Sequence, residues 1–180
     1  MNKEETVTKL FYNEPTKQWH FEDILRSAKI SRPQAAKWLV KLMNEGIIKR
    51  VKPRAKMPYY LGDYESPAYQ SRKRITALNE LEKQGFLRHL CGLRGVRTAI
   101  LFGSMSRWDW HKDSDIDLFI LGDPSGFDQG GFRAKLHREI QTFVCKDAKD
   151  VIRLKPALLR NIISGYIIKG GIDFVEVGHA

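Results

Sequence analysis

Two apolar, β-prone segments, Val96-Arg97-Thr98-Ala99-Ile100-Leu101-Phe102 and Leu118-Phe119-Ile120-Leu121, bracket Gly103-Ser104 and, after ten intervening residues, Asp115-Ile116-Asp117. If Ile116 points into a core, the period of two along a strand sends Asp115 and Asp117 together to the opposite face. Two carboxylates side by side repel, and a divalent cation relieves the repulsion. Hard oxygen donors of this kind suit Mg²⁺ or Mn²⁺ rather than Zn²⁺. A glycine and a serine just after a strand allow close backbone approach and offer donors to an anion, the more so if a helix starts at Met105. Phosphate on one side and metal on the other is what phosphoryl or nucleotidyl transfer requires. Taken alone, Gly103-Ser104 is an ordinary turn and Asp113-Ser114-Asp115 a polar loop; the complete pattern between two strands carries the reading.

Those residues resemble a known family. Leu101-Phe102-Gly103-Ser104, Arg107 and Ser114-Asp115-Ile116-Asp117-Leu118 are similar to the signature of the minimal nucleotidyltransferases of the polymerase-β-like superfamily. The resemblance implies that Gly103 and Ser104 hold the triphosphate of a nucleotide, with Arg107 as a further nucleotide-binding residue. It implies that Asp115 and Asp117 bind metal and act in catalysis. A third carboxylate in that family comes from a later strand, as an acid followed by two apolar residues and a proline-initiated helix. Asp150-Val151-Ile152, ahead of Pro156-Ala157-Leu158-Leu159, fits that position. Asp147 competes for it but sits between Lys146 and Ala148 in a polar turn. Trp108 departs from the glycine usual after the basic residue. The implied cofactors are Mg²⁺ or Mn²⁺, with a nucleoside triphosphate, ATP expected, as substrate.

The chain of 180 residues can bury one moderate core or two small ones, and its hydrophobic fraction of 42% is that of a globular protein. No apolar run approaches the ~20 residues needed to cross a bilayer. The charged start, Met1-Asn2-Lys3-Glu4-Glu5, lacks a signal-peptide apolar region. Cys91 and Cys145 give neither a disulfide framework nor metal-ligand spacing. A cytoplasmic protein without membrane association is expected.

The net charge of +10 favours polyanionic partners. Residues 32–56 alone carry +7, from eight basic residues against Glu45. Phe21 to Ile30 reads as a short helix; Ser31 then caps a second, with Pro33 in its first turn and Gly46 at its end. Ala35, Leu39, Leu42 and Met43 form its apolar stripe, and Arg32, Gln34, Lys37 and Lys41 lie opposite. Two strands, Ile47–Val51 and Pro58–Leu61, flank a basic tip at residues 52–56. This arrangement is similar to a winged helix-turn-helix domain. The resemblance implies Arg32, Gln34 and Lys37 in a DNA groove, and Arg50, Lys52, Arg54 and Lys56 on phosphate. Winged helices also mediate protein contacts, and a charge run is often a solvated face. Trp38 reads as packing or as part of a homodimer surface. Trp108 and Trp110 read either as base-stacking platforms or as core anchors, and His111 as a solvated loop residue.

The expected fold is α+β: a winged helix over 1–64, a connecting helix over 65–92 with Ile75, Leu78 and Leu81 on its packing side, and a polymerase-β-like domain over 93–180. In that last domain a mixed sheet is flanked by helices, one of them over Phe132–Val144. The acceptor stays open between nucleic acid and a protein hydroxyl, such as one on a partner toxin. The alternative function is a DNA-binding regulator or antitoxin whose transferase domain senses nucleotide.

Overall fold

The computed structural model describes residues 2–174. The chain divides into two compact units, Met1–Lys73 with Trp110–Lys112 and Arg74–Asp109 with Asp113–Ala180.

The first unit begins with a helix that was not expected, α1 (Lys3–Asn13), capped by the Asn2 side chain accepting from the Glu4 amide. Val7 and Phe11, four residues apart, are fully buried on its inner face. Helices α2 (Phe21–Ala28) and α3 (Arg32–Asn44) follow, joined through Lys29 in the left-handed region. Ser31 and Gln34 close a reciprocal capping box on α3. Gly46, at φ +67°, turns the chain out of that helix. Ala35, Leu39 and Leu42 are buried, as their spacing predicts. Strands β1 (Ile48–Val51) and β2 (Tyr59–Gly62) pair antiparallel, from Ile48 opposite Gly62 to Val51 opposite Tyr59.

A charged cluster ties this unit together. Glu4 on α1 accepts from Lys41 on α3 and from Arg72, each at 2.8 Å, and Arg72 also bonds Glu45. Trp110 is a core anchor: it is 2% exposed, meets Tyr12 edge-on at 6.1 Å, and lies 4.8 Å from the buried Lys73 ammonium.

The division between units falls inside α4 (Pro67–Lys83). The single connecting helix expected over 65–92 is in fact two, because Gly85 at φ +76° breaks the chain before α5 (Phe86–Gly92). Ala77 and Leu81 take the packing face, while Ile75, expected on that side, is 57% exposed.

The second unit is built on a four-stranded mixed sheet in the order β5-β4-β3-β6. Strands β3 (Val96–Phe102) and β4 (Ile116–Gly122) are antiparallel, β5 (Ile140–Cys145) is parallel to β4, and β6 (Tyr166–Lys169) is antiparallel to β3. The parallel pair requires a crossover, which α6 (Gln129–Leu136) supplies. The helix expected over Phe132–Val144 is thus corrected to the end of α6 plus strand β5. His137, in the left-handed region, stops the helix, and Ile140, Thr142 and Val144 are β-branched residues that suit a strand. Beyond β5 come α7 (Ala148–Ile152) and α8 (Pro156–Ile163). One face of the sheet buries Ile100, Phe102, Phe119 and Leu121 with Val151 and Ile162. Among the described residues no helix is long and apolar enough to cross a membrane.

Candidate active site

Strand β3 delivers the chain to the site and β4 carries it away. Their register sets Phe102 opposite Asp117, so the turn after Phe102 closes directly over that carboxylate. Gly103 has φ +69°, and a Cβ there would stand 2.1 Å from Asp117 Oδ2. No other residue fits without displacing the carboxylate.

A single 3₁₀ turn, Ser104–Ser106, follows in place of the helix from Met105 that would have strengthened an anion site. Ser106 Oγ donates to the Gly103 carbonyl at 2.9 Å, and the Arg107 amide donates to the Ser104 carbonyl at 3.0 Å. These bonds fix the turn while leaving Ser104 partly exposed. Arg107 reaches Asp109 through Nε at 3.1 Å and Nη2 at 2.8 Å. The Asp109 carboxylate, with a smaller contribution from Asp117, holds the guanidinium's pKa above its ordinary value.

The alternation expected at the start of β4 is present: Ser114, Ile116 and Leu118 are buried, while Asp115 and Asp117 share the other, half-exposed side. Asp117 has its pKa raised, first by burial and then by the negative charge of Asp115, with Arg107 pulling the other way. A pair of carboxylates held in mutual repulsion suits a hard cation, which removes the repulsion.

Two residues that the sequence did not single out complete the surroundings. The parallel register puts Gln141 of β5 opposite Asp117, and Gln141 Nε2 donates to Asp115 Oδ2 at 2.6 Å. Arg138 Nη1 donates to the Ser114 carbonyl at 2.7 Å, bracing the loop just before Asp115. Burial lowers the Arg138 pKa, against the charges of Glu80, Asp113 and Asp115.

Asp150 is not brought to this group. It lies in the first turn of α7 rather than on a strand, with Oδ2 accepting from the Lys146 amide at 3.0 Å. The reason is directional. Strand β5 runs from Gln141, beside Asp117, to Cys145, beside Leu121, so α7 leaves from the opposite end of the sheet. Asp147 is the N-cap of α7, accepting from the amides of Lys149 and Asp150. Among the described residues no three His, Cys, Asp or Glu side chains form a group able to hold a metal ion. Asp115 and Asp117 are the carboxylates available there.

Residues 88–172 match the family model described as polymerase beta, nucleotidyltransferase. The match takes in Gly103, Ser104, Arg107, Asp115, Asp117, Gln141 and Asp150 alike. It supports the nucleotidyltransferase superfamily for this segment, and nucleotidyl transfer as its activity in general. Proteins of that family generally use a nucleoside triphosphate and a divalent metal. No curated protein matches the chain.

In the first unit, the basic residues named from the sequence are all exposed. Arg32 pairs with Glu22 at 2.6 Å, and the Gln34 side-chain oxygen accepts from the Ser31 amide in the capping box. Lys37 lies over the Trp38 ring at 4.9 Å. Arg50 faces Tyr60 in the β1–β2 ladder, and Lys52, Arg54 and Lys56 occupy the loop between the two strands.

Proposed function

We propose that the protein is a metal-dependent nucleotidyltransferase that moves a nucleoside monophosphate from a nucleoside triphosphate, ATP the expected one, to a hydroxyl acceptor. The observation that carries this reading is the pairing of Asp115 and Asp117 on one side of the chain at the start of β4, with the turn at Gly103 closed over Asp117, inside the segment that matches the family. Gly103 and Ser104 hold the β and γ phosphates, with the backbone free of a Cβ and the serine hydroxyl as donor. Arg107 adds a positive charge for the phosphates. Asp115 and Asp117 hold Mg²⁺ or Mn²⁺, which when bound would stabilise negative charge on the triphosphate and on the leaving pyrophosphate. Asp150, engaged in capping contacts around α7, takes no part in the transfer.

The domain organisation proposed with it is a winged helix over 1–64, a connector over 65–92 and the transferase over 93–180. Three helices, a two-stranded hairpin and a basic hairpin loop support the winged-helix reading. Arg50, Lys52, Arg54 and Lys56 contact DNA phosphate, and α3 enters a groove with Arg32 and Lys37. Gln34 contributes through its cap on α3. Acceptors in keeping with such a tether are a nucleic-acid end or a hydroxyl of a partner toxin, in a cytoplasmic setting.

A second reading has its own observation. Gln141, an amide, stands beside Asp117 where a third carboxylate would complete the site, which favours a DNA-bound regulator that senses nucleotide without turnover. Incubation with α-labelled and with γ-labelled ATP, Mg²⁺, cellular RNA and protein separates the readings. Transfer of the α label alone supports the transferase. Nucleotide binding with neither label transferred supports the sensor.

A further inference from the structure

The partner of the two aspartates is a neutral amide. Gln141 faces Asp117 across the parallel β4–β5 pair, and its Nε2 donates to Asp115 Oδ2 at 2.6 Å. We infer that Gln141 makes this a site for one divalent cation per nucleotide rather than two, by holding Asp115 in place without adding a negative charge. The inference rests on the function proposed above.

The chemistry of the donor set leads there. A two-cation site brings four positive charges within about 4 Å and needs anionic ligands on both ions. The protein supplies two carboxylates, and among the described residues no third acid, histidine or cysteine joins them. The triphosphate adds its own oxygens to one ion. A second ion, on the acceptor side, would have to share Asp115 and Asp117 with the first and would gain only a neutral amide, whose N–H already serves Asp115. That bond is itself useful: it engages Oδ2 of Asp115 and leaves Oδ1 for the cation. Gln141 is therefore a positioning residue, and its hydrogen bond draws on the Asp115 oxygen that a second ion would have to share.

Strand geometry makes the inference testable by a change of one atom. Gln141→Glu keeps shape and register and puts a third carboxylate beside Asp115 and Asp117. Binding of Mn²⁺ to the full chain, followed by electron paramagnetic resonance with the non-hydrolysable α,β-methylene analogue of ATP, counts the ions. The wild type should hold one Mn²⁺ per chain and Gln141→Glu two. Gln141→Ala should still hold one, about tenfold more weakly, because outer partners of a ligand typically tune affinity by ~10–100-fold. Two ions in the wild type, or one in Gln141→Glu with its fold intact by circular dichroism, overturns the inference and leaves the proposed transfer standing. No ion in the wild type overturns both. Label transfer from ATP is scored separately, so a failure of the count and a failure of the transferase reading are distinguished.

Discussion

Gly103 and Asp117 are in contact through an absence: the point where a Cβ would sit at Gly103 is 2.1 Å from Asp117 Oδ2. The antiparallel register that sets Phe102 opposite Asp117 creates this closeness. Backbone and carboxylate are thereby held together at the place where, in the proposed function, phosphate and metal meet.

Gly103→Ala should therefore abolish label transfer while leaving the sheet folded. The new methyl displaces Asp117, and φ +69° adds strain of about 1–3 kcal/mol. Thermal melting read beside transfer checks this. A variant with wild-type transfer would show that the close approach has no functional meaning.

Asp117 predicts a trade of stability against function. Its pKa is raised in the folded protein by burial and by Asp115. The folded state then binds more protons than the unfolded one between the two pKa values, so stability falls as pH rises through that window. Without divalent metal, Asp117→Asn should melt above the wild type at neutral pH. The advantage should shrink as pH falls and Asp117 takes up its proton. A variant that melts lower at neutral pH would contradict the repulsion.

Glu4 carries the opposite sign. Lys41 and Arg72 together hold its pKa below the ordinary value of 4.5, against the upward push of burial. Its contribution is complete above the unfolded pKa and is lost as pH falls through the folded one. Glu4→Gln should cost about 1–3 kcal/mol at neutral pH, the scale of broken hydrogen bonds to charged groups. Denaturant titrations of both proteins should converge only once the pH has fallen below the lowered pKa of Glu4 in the folded protein.

The basic loop between β1 and β2 predicts a salt dependence. Replacing Arg54 and Lys56 together by alanine should weaken binding to duplex DNA of any sequence. The slope of log affinity against log salt should drop by about two, roughly one for each phosphate left without its cation. An unchanged slope would take the loop off the nucleic acid.

The placement of Asp115 beside Asp117 was legible because a period of two is written plainly into Asp115-Ile116-Asp117, and because β3 and β4 are both apolar runs with a glycine between. Helix α3 was legible for a similar reason: Ser31, Gln34 and Pro33 are local signals acting within one turn. Strand β5 was hidden. Phe132, Leu136, Ile140 and Val144 recur every four residues and imitate a helical stripe across what is really a helix, a left-handed break at His137 and a strand. That misreading carried the third acid with it. Asp150 follows Asp147 by three residues, the spacing of a helix cap, and Asp150-Val151-Ile152, expected to run as a strand, belongs to a helix instead. Gln141 could not be found without register, since only the pairing of β4 with β5 tells which residue faces Asp117. Helix α1 was overlooked although Asn2, Glu4 and Glu5 mark its start and Val7 and Phe11 its face.

The most direct test of the transferase reading compares the wild type with Asp115→Ala/Asp117→Ala. Both are incubated with each α-labelled nucleoside triphosphate and Mg²⁺, with total cellular RNA and protein as acceptors. The account predicts label on a defined acceptor with the wild type, and none with the double variant, at equal thermal stability or better. Equal labelling by the two proteins would contradict it.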